Sequence, residues 1–381
     1  MGILRCRCAL LICLILATWG MEGFLMGSEN GNTRLDGNLK CVDLSDLDGG
    51  LPLDVTESRQ VLWRTEAWEH SSWNPEEDHD SLGFPTVVRN DRGQNPDGLY
   101  YLFYAHHDPN SGIGCAVAKS VEGPYRKLAE LDARREDSRA LVNPGKPGQP
   151  FHYSSPCVVW CKEEQVWFMY FHYYSNLWQK GQGHQRTALA TCPDLSGNVW
   201  TPWTDDQGNL VTVFPTTAER WMNSQSSYHA VQRLPDGRWL GFLRGTGGEY
   251  DADGKWTQGP CQLGFATSSD GRRWDYFSEN PVIHQADGGG GRQGVYRPHF
   301  VGCLGEGEYL VCWSESQPYD AGLKVRYGRT RDFKTFARDS RGYASWSPAD
   351  GLVSLWREGN RLYLFAGKFL HVMDLPVTRD R

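Results

Sequence analysis

The sequence predicts an all-β fold, a five-bladed β-propeller whose ring is closed by an N-terminal strand that completes the last blade. The main observation is a six-residue segment, in which an aromatic residue opens an apolar run and a polar residue follows five places later. It recurs at residues 101–106, 167–172, 239–244, 309–314 and 363–368, with spacings of 66, 72, 70 and 54 residues. Repetition at such a period indicates repeated supersecondary units, and each copy reads as the second strand of a blade.

The composition supports this fold class and narrows the classes of function. The 381 residues include 16 Trp, 17 Tyr and 15 Phe, which suit both β-strands and surfaces that stack on sugar rings. The net charge is −7 and the pI is about 5.9, which disfavours a nucleic acid or an anionic membrane surface as a partner. No feature of the sequence points to a particular oligomeric state.

Residues 1–26 are predicted to contain a signal peptide and the start of the mature chain. Arg5 and Arg7 precede an apolar run over residues 9–19, which is too short to cross a bilayer comfortably. An uncleaved anchor is the alternative. We therefore expect a secreted or periplasmic protein with no membrane span beyond this segment. Residues 27–55 read as an irregular lead-in, 56–376 as the propeller domain and 377–381 as a tail.

Each of the first four blades reads as four antiparallel strands separated by turns rich in Asn, Asp and Gly. The predicted strands are 84–89, 99–105, 112–120 and 125–128; 155–160, 166–172, 186–191 and 199–203; 228–234, 239–243, 262–268 and 274–277; and 296–303, 308–314, 323–329 and 333–337. Residues 245–259 read as a loop that either shapes a pocket or is an idle surface connection.

The fifth blade has only three predicted strands, at residues 352–358, 361–368 and 370–375. We expect residues 59–68 to add the fourth strand, because closing the ring removes sheet edges that would otherwise pair with other chains.

Eight of the eleven cysteines follow the predicted signal segment, an even number that permits disulfides. Cys303 and Cys312 face each other across a predicted hairpin, where a bridge and two packed thiols are equally good interpretations. Cys157 and Cys161 have no neighbouring His-Cys cluster, which disfavours a zinc site.

Polar residues converge at one face of the predicted ring. The first and second strands of a blade are antiparallel, so the start of the first lies beside the end of the second. The predicted first-strand starts are Phe84, Ser155, Tyr228, Arg297 and Asp350, and the second-strand ends are His106, His172, Arg244, Ser314 and Lys368. Near them in sequence are Asp80, His107, Asp108, His152, His229, His299 and Glu315. A pocket with convergent polar groups is the default hypothesis for a site, although a strand-end polar residue is often only a solvated rim.

Three carboxylates are the catalytic candidates. Glu315 is a candidate general acid, favoured by its hydrophobic neighbours, and the other two are Asp80 and Asp350. For Glu315 the alternative is a hydrogen bond to loop backbone. The candidates for binding sugar hydroxyls or an anionic substituent are His106, His107, His172, Tyr228, His229, Arg244, Arg297 and His299. No metal-ligand set is predicted, because adjacent histidines on a strand point to opposite faces.

Residues 100–107 and 112–125 resemble the first blade of family 43-type glycoside hydrolases, and residues 154–157 with 167–172 resemble their second blade. The resemblance covers most of residues 57–376. It implies the five-bladed propeller of the arabinanase and invertase superfamily, extracellular action on plant or algal glycans and no organic cofactor. It also allows a structural Ca²⁺ ion in the central channel.

The resemblance does not extend to the family's catalytic carboxylates. The family's inverting mechanism uses a base Asp, a tuning Asp and an acid Glu at the inner-strand starts of blades one to three, with room for water between acid and base. This chain has Phe84, Cys157 and the pair Tyr228-His229 at those places. The resemblance therefore implies a rearranged set of carboxylates, with Asp80 as the base or nucleophile, Glu315 as the general acid and Asp350 as the tuning group.

The leading prediction is a secreted glycoside hydrolase that acts on a poly- or oligosaccharide. One alternative is a glycan-binding propeller without catalysis. The other is a polysaccharide lyase, in which Arg297 or Arg244 neutralises a uronate while His229 and Tyr228 transfer protons.

Overall fold

The computed structural model describes residues 42–45, 54–70, 82–106, 111–143, 152–174, 185–234, 236–254, 256–284, 294–305, 307–316, 323–345 and 353–375. In these ranges the chain is almost entirely β-strand, arranged in five sheets. The predicted signal segment lies outside them. The two helices of the described residues are single turns, the 3₁₀ helix Ala67–His70 and α1 (Leu128–Leu131), and neither is long and apolar enough to span a bilayer.

Each sheet is a blade whose strands follow in chain order from the centre outwards. Blade one contains β3 (Gly83–Arg89), β4 (Tyr100–Ala105), β5 (Ile113–Ala118) and β6 (Arg126–Lys127), and β7 (Arg139–Leu141) also pairs with β5. Blade two contains β8 (Tyr153–Cys161), β9 (Val166–Tyr174), β10 (Gln185–Cys192) and β11 (Thr201–Pro202). Blade three contains β12 (Gln225–Arg233), β13 (Trp239–Tyr250), β14 (Trp256–Ser268) and β15 (Asp275–Tyr276).

Blades four and five each include a strand from the N-terminal region. Blade four contains β16 (Val295–Gly305), β17 (Glu308–Ser316), β18 (Leu323–Thr330) and β19 (Ala337–Tyr343), and β1 (Val42–Asp43) pairs with β16 in parallel. Blade five contains β20 (Val353–Glu358), β21 (Arg361–Ala366) and β22 (Phe369–Asp374), and β2 (Glu57–Gln60) pairs with β22 as its fourth strand. That strand is shorter and earlier than the predicted residues 59–68, because Ala67–His70 form the 3₁₀ helix instead.

The five inner strands form a ring. β3 contacts β8, β8 contacts β12, β12 contacts β16, β16 contacts β20, and β20 contacts β3. This cycle of contacts is the five-bladed propeller that the repeats predicted. Its axis is the central channel, and we call the end of the channel at which the inner strands begin the mouth.

Apolar cores fill the spaces between neighbouring blades. Side chains alternate between the two faces of a sheet, so adjacent residues of one strand pack in different cores. On β4, Phe103 packs in the core shared with blade two, whereas Tyr104 packs in the core shared with blade five. Both faces of each blade are covered, which explains why the second strands read as continuous apolar runs rather than as alternating patterns.

A buried ion pair fixes the segment that precedes blade one. Lys127 Nζ lies 2.6 Å from both carboxylate oxygens of Glu69, and it also donates to the carbonyl oxygen of Trp63 and to Thr65 Oγ1. The hydroxyl of Tyr104 donates to Glu69 Oε1 at 2.9 Å. Both ions are thus fully hydrogen-bonded, which is the condition under which a buried pair is tolerated.

The strand pairing corrects one predicted loop and the bounds of one predicted strand. Residues 245–259 are not a loop, because β13 continues to Tyr250 and β14 begins at Trp256, with Gly248 opposite Gln258. Glycine is needed here, since a Cβ at Gly247 would lie 1.3 Å from the carbonyl oxygen of Arg220. The outer strand of blade four spans Ala337–Tyr343 rather than 333–337.

The structure also decides between a disulfide and two packed thiols for Cys303 and Cys312. Cys303 is disulfide-bonded, whereas Cys312 is a free, buried thiol, so the two are not bridged. The register explains this, because Cys303 lies opposite Tyr309 and Cys312 lies opposite His299.

Candidate functional site

The inner strands of blades one to four share a strained residue near their start. Phe84, Ser155, Tyr228 and Arg297 have φ angles of 55°, 54°, 49° and 50°. At each one the pairing register of the inner strand shifts, as expected of a β-bulge. The left-handed region costs a non-glycine residue about 1–2 kcal/mol. Strain of this kind is concentrated at functional sites, and here it occurs four times around one channel mouth.

The register also brings residues of the second strands to the mouth, at or near the strand ends in blades two and four and in the middle of the longer β13 in blade three. Ser154 is opposite His172, Ser227 is opposite Arg244, and Tyr296 is opposite Ser314. His106 follows the last residue of β4 and is buried.

Four rings and one guanidinium group form what we call the mouth cluster: Phe84, His172, Tyr228, Arg244 and Tyr296. The ring centroid of Tyr228 is 4.9 Å from those of His172 and Tyr296, and 6.1 Å from that of Phe84. The members come from the inner strands of blades one, three and four and the second strands of blades two and three. They join four blades into one surface.

Tyr228 is a neutral hydrogen-bond donor in this environment. Burial raises the pKa of its hydroxyl well above the ordinary value, although Arg244 and Arg297 oppose the shift. The phenol therefore keeps its proton at neutral pH. It is suited to donating a hydrogen bond or a proton, and not to acting as a base.

Arg244 is clamped between two aromatic rings. Its guanidinium carbon lies 4.5 Å from the ring centroid of Tyr228 and 4.8 Å from that of Tyr296. Nη2 contacts Gln185 Oε1 and Gln225 Oε1, each at 2.7 Å, and Ser227 Oγ at 2.6 Å. A second guanidinium, that of Arg297, lies 5.3 Å from the ring of Tyr296.

His152 extends the mouth cluster through His172. The two Nε2 atoms are 2.7 Å apart, and the ring of His152 also meets the ring of Tyr174 at 4.1 Å, edge to face. The sequence analysis predicted that His152 lies near the site but assigned it no role. Gln185, Gln225, Ser227 and Tyr296 were missed altogether; the signal that could have found Tyr296 was its position beside Arg297.

His229 and His299 lie farther along the channel. They line a cavity of about 40 Å³ to which all five inner strands contribute, with Thr86, Cys157 and Ser354 on the remaining strands. His229 Nδ1 is 3.2 Å from Thr187 Oγ1, and the ring nitrogens of His299 are 3.2 and 3.3 Å from the amide nitrogen of Val353.

The lining of this cavity has no carboxylate among its described side chains. Its described side-chain donors are imidazoles, hydroxyls and the thiol of Cys157. Within the described ranges, no three His, Cys, Asp or Glu side chains are grouped so that they could hold a metal ion.

The carboxylate of Glu315 belongs to an ion-pair network within blade four. Its oxygens accept hydrogen bonds from Trp313 Nε1 at 3.1 Å and from the Tyr343 hydroxyl at 2.9 Å. Arg326 and Arg338 lie 3.5 and 3.4 Å away. The side chain of Glu315 is thus held by four partners from its own blade, on β17, β18 and β19.

Three predicted site residues, Asp80, His107 and Asp350, lie outside the described residues. In the sequence, Asp80 stands three positions before the first residue of β3, and Asp350 stands three positions before the first residue of β20. The strands β3 and β20 contact each other in the ring.

Comparison with known proteins gives similarity in fold and a short stretch of similarity in sequence. The chain matches no protein-family profile. Over 94 residues, 22% of the chain, it is 28% identical to an extracellular endo-α-(1→5)-L-arabinanase of Thermotoga petrophila, and the match spans only 20% of that protein's length.

Solved structures match much more of the chain. A glycoside hydrolase superposes with a TM-score of 0.51 at 14% sequence identity, covering 79% of this chain and 90% of that one. A solved RGII complex gives a TM-score of 0.52 at 14% identity, covering 78% and 89%. The chain is therefore a five-bladed β-propeller that shares its fold with a solved glycoside hydrolase.

Proposed function

We propose that this protein is a secreted glycoside hydrolase that acts on a poly- or oligosaccharide at the mouth of the channel. The observation that carries the proposal is the convergence of four strained strand starts on one cluster of aromatic, imidazole and guanidinium groups. The shared fold with a glycoside hydrolase and the short similarity to an arabinanase agree with it.

The mouth cluster has the groups that sugar recognition requires. The ring of Tyr296, which is only half-buried, can offer an apolar face to the C–H surface of a sugar ring, and the buried ring of Tyr228 packs against it. The imidazole of His172 and the guanidinium groups of Arg244 and Arg297 supply polar contacts for hydroxyls. An apolar pocket with a few fixed polar groups is the usual form of a small-ligand site.

Hydrolysis also needs two carboxyl groups, one to protonate the glycosidic oxygen and one to activate water or attack the sugar. We assign these roles to Asp80 and Asp350. They precede β3 and β20, which are adjacent inner strands that begin at the mouth. Glu315 is assigned a structural role instead, because Arg326 and Arg338 pair with it.

Secretion is supported by the N-terminal sequence, with Arg5 and Arg7 before an apolar run. The name of the arabinanase relative, which is extracellular, is consistent with this.

The test is a release assay of the purified protein on a panel of plant and algal polysaccharides, read for new reducing ends and for unsaturated products. We expect new reducing ends on at least one substrate, and a loss of at least 100-fold in turnover for Asp80→Asn and for Asp350→Asn. Asp236→Asn is the matched control, because its carboxylate is an exposed partner of Arg238. Wild-type turnover by either of the first two variants, or binding of glycans without release of any product, would overturn the proposal.

A lyase is the second candidate, and one specific observation favours it. Tyr228 keeps its proton and lies against the guanidinium of Arg244. β-Elimination needs a cation to neutralise the uronate carboxylate, a base to remove the proton at C5 and an acid to protonate the departing oxygen. Tyr228 and Arg244 have the chemistry of the acid and the cation. An unsaturated uronic end in the release assay would select this reaction over hydrolysis.

A further inference from the structure

Arg244 is a buried cation that has only neutral acceptors. Its side chain is 3% exposed, and its hydrogen-bond partners are two amide oxygens, one hydroxyl and one thiol, those of Gln185, Gln225, Ser227 and Cys261. In the part of the chain that the structure describes, no carboxylate pairs with it and its Nε has no hydrogen-bond partner.

Lys127, the other strongly buried cation described above, has a carboxylate partner. Lys127, 5% exposed, lies against the fully buried carboxylate of Glu69. Removing a charge from water costs several kcal/mol per ion, and an opposite charge normally offsets this cost. Among the described residues Arg244 has no such partner, so its positive charge is one that an incoming anion would neutralise.

The surroundings of Arg244 restrict the direction from which that anion can approach. The rings of Tyr228 and Tyr296 cover the guanidinium at 4.5 and 4.8 Å, so an anion must approach the planar edge. Gln185 and Gln225 fix Nη2, which sets the orientation of the edge and leaves Nε for a ligand. Nη2 has two hydrogens and three acceptors, so Nε–H is the donor left for one oxygen of an anion, and the charge of the guanidinium favours a carboxylate over a neutral acceptor.

We propose that the substrate is an acidic carbohydrate, and that Arg244 binds the carboxylate of a uronic acid residue at the mouth. This inference rests on the proposed carbohydrate site and adds its substrate class. Arg297, 5.3 Å from the ring of Tyr296, adds a second positive charge on the same side of the mouth cluster. The negative net charge of the chain, −7, makes this local concentration of guanidinium groups a specific feature rather than part of a basic surface.

Binding, rather than cleavage, provides the test. The affinity of the full-length wild-type protein is measured by titration calorimetry for trigalacturonate, an oligoglucuronate and an oligomannuronate, and for the same oligosaccharides after reduction of their carboxyl groups. We expect at least one acidic oligosaccharide to bind at least tenfold more tightly than its reduced form. A sulfated neutral oligosaccharide of equal length distinguishes a carboxylate from a sulfate ester as the anion.

Two variants of the protein provide the second part of the binding test. Arg244→Gln should lose the preference for the acidic form, whereas Arg238→Gln, which removes an exposed guanidinium just before β13 begins, should keep it. Because the comparison of acidic and reduced sugars uses wild-type protein, a folding defect in Arg244→Gln does not weaken the test.

Equal affinity for acidic and reduced oligosaccharides, or tighter binding of the sulfated one, would overturn the inference. These outcomes are separate from the proposed reaction. Preference for a uronate without hydrolysis would leave the inference standing and remove the hydrolase, and cleavage of neutral glycans alone would do the reverse.

Discussion

Nε2 of His152 lies 2.7 Å from Nε2 of His172, so two buried imidazoles share one hydrogen bond beside the mouth. One ring must donate and the other must accept, which requires at least one of them to be neutral. The bond orients His172, whose ring then meets Tyr228 and Phe84.

Replacing His152 by alanine should lower the free energy of unfolding by about 1–3 kcal/mol, the cost of a buried polar group that loses its partner. Urea denaturation measures this. His284→Ala is the control, since His284 is exposed, and it should stay within about 0.5 kcal/mol of wild type. Equal effects of the two substitutions would show that the His152–His172 bond contributes nothing.

Ser155→Gly should stabilise the protein by roughly 1 kcal/mol, because glycine adopts a positive φ without the penalty that serine incurs. Ser154→Gly, one residue earlier in the same strand, should instead destabilise it by about 0.5–1 kcal/mol. Thermal and urea denaturation of the pair measure the difference. Destabilisation by both substitutions would contradict the strained conformation assigned to Ser155.

Glu315→Gln should lower stability and leave the proposed activity of the folded protein near that of wild type. The substitution removes a charge that two arginines share in a buried place, at a cost of about 1–3 kcal/mol. Glu308→Gln on the same strand removes more exposed ion pairs with Arg329 and Arg331, and should cost less than about 1 kcal/mol. Loss of turnover with unchanged stability in Glu315→Gln would restore its predicted role as general acid.

Lys127→Met should be among the most damaging single substitutions in the first blade. It leaves the carboxylate of Glu69 buried without its cation, which costs about 3–5 kcal/mol. Arg126→Met, at the neighbouring exposed position, should change the free energy of unfolding by less than about 0.5 kcal/mol. The same denaturation experiment tests both, and a small effect at Lys127 would contradict the anchoring of residues 61–70 by this pair.

The free energy of unfolding should decrease at acidic pH because His371 becomes protonated more readily in the unfolded chain. Burial lowers the pKa of this imidazole below 6.5 in the folded state, so the unfolded chain binds a proton more readily. The free energy of unfolding therefore decreases as the pH falls from 6.5 to the lower folded pKa, and levels off below it.

His371→Asn should flatten this part of the pH profile, measured by urea denaturation between about pH 5 and about pH 8. The substitution also alters the contact between His371 Nδ1 and Ser58 Oγ, which are 2.9 Å apart and join β22 to β2. Identical pH dependence in wild type and variant would contradict the prediction.

The fold could be predicted from sequence because its signals are local. Each second strand is an apolar run between turns, and the predicted 166–172 differs from the observed Val166–Tyr174 by only two residues. The long hairpin of β13 and β14 could not be predicted, because its glycines and charged residues are typical of a loop. Its pairing depends on the close approach of Gly247 to Arg220, which are distant in sequence.

The site was predictable only as far as strand position determines it. Strand order alone indicated that Tyr228 and Arg297 begin inner strands at one face. The contacts of Glu315 with Arg326 and Arg338 could not be foreseen, because they depend on which face of β17 the side chain takes and on what β18 and β19 place beside it. Nor did any local signal connect Gln185 with Arg244, 59 residues apart.

The most direct test of the account is the position of a bound sugar in a crystal of Asp80→Asn soaked with an acidic oligosaccharide that binds in solution. We predict a sugar ring against Tyr228 or Tyr296, with its carboxylate on the edge of Arg244. An oligosaccharide bound elsewhere, for example in the cleft beside Trp221 and His284, with none at the inner-strand starts, would contradict the claim that the channel mouth is the carbohydrate site.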